Sequence, residues 1–110
     1  MESPFSESLL NDGLEIALEW GPNLSKPYGP RLAERHPELT QEQLAEVEKL
    51  CKGAMDFGHN LVYQLASKSG VSNIEGFDPA MKARYPWASA KNLSMILSQG
   101  RYYAWKDGFG

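Results

Sequence analysis

Asp56, His59 and Tyr63 stand three and four residues apart. In a helix they share one face, where a carboxylate can orient or charge an imidazole. This is the candidate for acid–base chemistry, as the pocket of a small enzyme or ligand-binding domain. A metal would need more ligands at matching spacing, and Glu15 with Glu19 is the only other pair so arranged. A solvated polar face or a hydrogen-bonded structural histidine is the simpler expectation, so no residue is assigned as catalytic or as a metal or cofactor ligand. The lone cysteine, Cys51, falls in an apolar stripe that raises a thiol pKa, and reads as packing rather than as a nucleophile. LTQEQLAEVEKL has the pattern of a helix entering a calcium loop, but the MDFGHNLVYQLA that follows lacks the alternating Asp/Asn oxygens and closing glutamate. Glycine-rich phosphate loops, a Gly-x-Ser-x-Gly elbow and paired CxxC motifs are absent from the sequence.

Charge separates the chain more clearly. Residues 1–79 hold six Lys/Arg and thirteen Asp/Glu, a net of −7. Residues 80–110 hold five Lys/Arg and one Asp, a net of +4, which together give the overall −3. In the last predicted helix Lys91, Met95, Ser98, Tyr102 and Trp105 recur opposite the apolar stripe. Met95, Arg101, Tyr102, Trp105 and Lys106 are therefore the candidate partner-binding residues, for another protein or a second copy. Pairing of these cations with the acidic half of the same chain is the competing expectation. Nucleic acid is disfavoured by a pI of 5.3.

The elements that would position these residues are helical. Leu9, Gly13, Ile16 and Trp20 mark a helix over 5–19, with Ser3-Pro4 as its start and Gly21-Pro22 as its stop. Pro30 opens a short helix that ends before Pro37. Thr40 and Gln43 form a capping box, flanked by Leu39 and Leu44 as a staple. From there the Leu44, Val47, Cys51, Ala54, Gly58, Leu61, Leu65 series predicts one long helix to about Lys68, capped by Gly70, in spite of Gly53 and Gly58. Asp78-Pro79 starts a second short helix through Arg84. Ser89 caps the last helix, whose inner stripe is Leu93, Ile96 or Leu97, Gly100, and Tyr103 or Ala104. Arg35 and Arg84 are expected to bond the last carbonyls of the short helices, and His36 to pack.

A shift of 49 residues lays Tyr28 on Phe77, Pro30 on Pro79, Leu32 on Met81, Arg35 on Arg84, His36 on Tyr85, Pro37 on Pro86, Thr40 on Ser89, Leu44 on Leu93 and Val47 on Ile96. The expected fold is a small all-α bundle, one domain over 1–110. It is a tandem pseudo-repeat of helix, loop, short helix and helix, with units at about 5–57 and 58–106 sharing the long central helix. No run nears the roughly 18 apolar residues of a membrane span, and the first residues, MESPFSESLL, lack the apolar core of a signal peptide. With a single cysteine, the chain is expected in the cytoplasm. A non-enzymatic interaction module, either binding another protein or self-associating, is the expected function.

Overall fold

The computed structural model describes residues 5–19, 28–69 and 76–108. They form five helices and, among the described residues, no strand. The helices are α1 (Glu7–Leu18), α2 (Tyr28–Arg35), α3 (Gln41–Ser69), α4 (Phe77–Arg84) and α5 (Ala90–Lys106). The fold is all-α. Among the described residues, no helix is long and apolar enough to cross a membrane.

Three boundaries differ from the sequence reading. α1 starts at Glu7 because Ser6 accepts the Leu9 N–H at 3.1 Å; Ser3 and Pro4, and the stop at Gly21-Pro22, lie outside the described residues, as does the Gly70 cap. α2 begins at Tyr28, two residues before Pro30. The whole first turn lacks intrahelical N–H partners, so proline fits at its third position as well as at its first. α4 begins at Phe77. Asp78 lies inside its first turn, and the cap position is Gly76, whose φ of 93° is a left-handed conformation with no side-chain bond.

The capping box stands as the sequence implies. Thr40 Oγ1 accepts the Gln43 N–H at 3.1 Å, and Gln43 Oε1 accepts the Thr40 N–H at 2.9 Å. Leu44 is buried and Leu39 packs on the core beside it. Thr40→Ala should cost about 1 kcal/mol, read from urea unfolding as a lower midpoint at an unchanged slope; equal midpoints would remove the cap from the account of this helix start.

From that start α3 runs unbroken through Gly53 and Gly58 for 29 residues. At 1.5 Å per residue it is about 43 Å long. A Cβ built on Gly58 would collide with Ile96, and one on Gly100 would lie 2.7 Å from Val62 Cβ. The helical penalty of these glycines is therefore offset by a close α3–α5 crossing. Gly13 serves the α1–α3 contact, with Cys51 Sγ and Val47 Cγ1 each 2.9 Å from its would-be Cβ.

Contacts between α3 and α5 advance together: Gly58 meets Ile96, Gly100 meets Val62, and Tyr63 meets Asp107. Those between α1 and α5 do the same, from Asn11 with Asn92 to Leu18 with Gln99. The three long helices are therefore parallel, and α2 and α4 are the connections that return the chain to the starting end. Leu10, Leu14, Leu32, Val47, Val62, Phe77, Met81 and Ile96 form one buried core across all five. In α5 the inner stripe is Leu93, Ile96, Gly100 and Ala104, while Leu97 is half-buried and Tyr103 exposed.

Element boundaries coincide under the 49-residue shift. Tyr28–Arg35 maps onto Phe77–Arg84, and the first residue of α3 onto the first of α5. Matching backbone bonds recur: Leu44 N–H to Thr40 O and Leu93 N–H to Ser89 O are both 2.9 Å, and His36 N–H to Leu32 O has its counterpart in Tyr85 N–H to Met81 O. Tyr28 and Phe77, Leu32 and Met81, Leu44 and Leu93, and Val47 and Ile96 are all buried.

Candidate functional site

Of the three residues of the acid–base candidate, His59 and Tyr63 bond to different partners. Asp56 is exposed. Tyr63 donates its hydroxyl to Asp107 Oδ2 at 2.8 Å, and this bond holds its phenol above the usual pKa. His59 turns toward α5. Gln99 Nε2 donates to the Leu18 carbonyl at 2.6 Å, so Gln99 Oε1 faces the imidazole and accepts from Nε2–H at 2.9 Å. The imidazole also makes an edge contact with Tyr103, the ring centroids 5.5 Å apart. This string, His59 to Gln99 to Leu18, ties all three long helices together and keeps a proton on Nε2.

Burial lowers the His59 pKa below 6.5, against opposing but smaller effects of the Gln99 bond and the Asp56 charge. As pH falls, the unfolded chain therefore protonates before the folded one. The stability from neutral His59 is complete above about pH 6.5 and declines as pH falls from there through the lowered folded value. His59→Gln should flatten that part of the profile. Urea midpoints at pH 7.5 and 5.5 are the measurement, and an equal drop in both proteins would contradict it.

Cys51 is fully buried, its thiol donates to the Leu10 carbonyl at 3.2 Å, and burial pushes its pKa up to about 11. Tyr28 Oη donates to Gly13 O at 2.8 Å, and burial first, then Cys51, raises that phenol. Neither group is poised as a nucleophile. The short-helix arginines do not bond terminal carbonyls as expected. Arg35 lies 3.8 Å from Glu15 and Glu19, and Arg84 lies over the Phe57 ring at 4.7 Å. His36 is bonded to Asp12 at 2.8 Å and to Glu38 at 3.3 Å. Among the described residues, no three His, Cys, Asp or Glu side chains gather as a metal site.

Two polar residues missed in the sequence organise the start of α5. Asn11 Oδ1 accepts from the Ser89 N–H at 2.8 Å and from Asn92 Nδ2 at 3.0 Å, while its Nδ2 donates to the Trp87 and Glu7 carbonyls. All four hydrogen-bonding places of the amide are filled. At the start of α3 Gln43 reaches back to the Thr40 N–H. Asn92 at the matching position is one methylene shorter, and Asn11 supplies the acceptor across the bundle instead.

The outer face of α5 is different in kind. Met95 is 46% exposed, Tyr102 47% and Trp105 64%, and the Tyr102 and Trp105 rings lie tilted to each other at 36°, their centroids 6.5 Å apart. Two adjoining shallow clefts of about 220 and 360 Å³ run between this face and the end of α1. Leu18 and Met95 line both, with Glu15 and Glu19 on the α1 side. Neither is lined by Asp56, His59 or Tyr63. Comparison with protein-family models, curated proteins and solved structures finds no match.

Of the C-terminal cations, Lys91 approaches Glu15 at 3.5 Å while its side chain stays 75% exposed. Among the described residues, Arg101 and Lys106 form no ion pair. Pairing of the basic end with the acidic half is thus confined, among the described residues, to Lys91, at the start of α5.

Proposed function

We propose that this chain is a non-enzymatic helical interaction module, acting in the cytoplasm, that binds protein through the outer face of α5. The supporting observation is the stripe of Met95, Tyr102 and Trp105, three large side chains exposed on one face while the opposite face of the same helix is core. Aromatic and thioether side chains carry much of the energy of protein interfaces. Exposed Arg101 and Lys106 add charge beside them, which favours a partner with acidic groups around an apolar centre. The coincident helix boundaries support a tandem repeat of two units, about 5–57 and 58–106. Its second unit ends in this surface. The reading as an enzyme or ligand-binding pocket at Asp56, His59 and Tyr63 has less support, because His59 and Tyr63 are engaged with Gln99 and Asp107.

Affinity capture from the native host with quantitative mass spectrometry tests the surface. Wild-type bait is compared with a Met95→Ser/Tyr102→Ser/Trp105→Ser bait of equal thermal stability. A protein, whether another chain or untagged bait, should be lost with the triple variant. An identical set of captured proteins would overturn the assignment.

A further inference from the structure

We draw no further inference here: the strongest candidate, the exposed Met95, Tyr102 and Trp105 patch on the outer face of α5, belongs to the binding surface already described, and nothing in the structure shows what covers it.

Discussion

Asn11→Ala is expected to destabilise the protein by about 3 kcal/mol, well beyond the loss of an ordinary exposed polar side chain. The truncation removes the acceptor of the Ser89 N–H, one acceptor of the Asn92 amide and the donor to the Trp87 carbonyl, at the point where α1 meets the start of α5. Partial burial there limits how well water can replace them. Asn11→Asp keeps an acceptor for Ser89 and Asn92 but loses the Trp87 bond, so it should fall between wild type and alanine. Urea unfolding at pH 7 supplies the comparison. A loss below about 0.5 kcal/mol for the alanine variant would mean that the tie contributes little to stability.

Two glycine replacements should move stability in opposite directions. Each gains about 1 kcal/mol of helical preference when glycine becomes alanine. At Gly53 the nearest atom to the new Cβ is Tyr85 Oη at 3.9 Å, so Gly53→Ala should keep that gain. At Gly100 the Cβ would lie 2.7 Å from Val62 Cβ and 2.9 and 3.0 Å from its two methyl carbons. Valine in a helix has essentially one rotamer, and its Cβ cannot move without the backbone. The helices must part, an overpacking cost of about 1 to 3 kcal/mol. Gly100→Ala should therefore end up to about 2 kcal/mol below wild type, and thermal unfolding of the two variants checks the sign of each. A stabilised Gly100→Ala protein would show that the α3–α5 crossing yields easily.

What could be read in the sequence was what is decided within one or two turns of chain. The Thr40 and Gln43 box marked the start of α3 because both its bonds close over three residues. The apolar periodicity of Leu44 through Leu65 carried the helix past Gly58 because that stripe continues on either side. Local signals failed where two positions satisfy the same rule: Ser3 and Ser6 both precede acceptable first turns, and Pro30 fits anywhere in one. They also failed at distance. Asn11 and Gln99 look like ordinary polar positions until α1 and α5 lie side by side, and their partners are 76 to 81 residues away. Arg35 and Arg84 occupy matching positions, but the neighbours that distinguish them, Glu15 and Glu19 for one and Phe57 for the other, belong to other helices. The exposed stripe of α5 was legible from period alone, since the inner face had to be the one with Leu93, Ile96 and Gly100.

The shared direction of α1, α3 and α5 has an electrostatic consequence. Antiparallel helices cancel one another's macrodipoles, whereas three parallel ones add them, placing partial positive charge at the Glu7, Gln41 and Ala90 end and partial negative charge at the other. Glu7 and Glu42 in first turns and Lys68 and Lys106 in last turns follow this polarity, whereas Glu19 at the end of α1 and Lys91 at the start of α5 run against it and pair with Arg31 and Glu15 instead. α5 has no acidic residue in its first turn, and there the Asn11 amide oxygen and Ser89 hydroxyl meet the free N–H groups instead. Glu7, Glu42, Lys68 and Lys106 thus act as counter-charge to the bundle's own backbone.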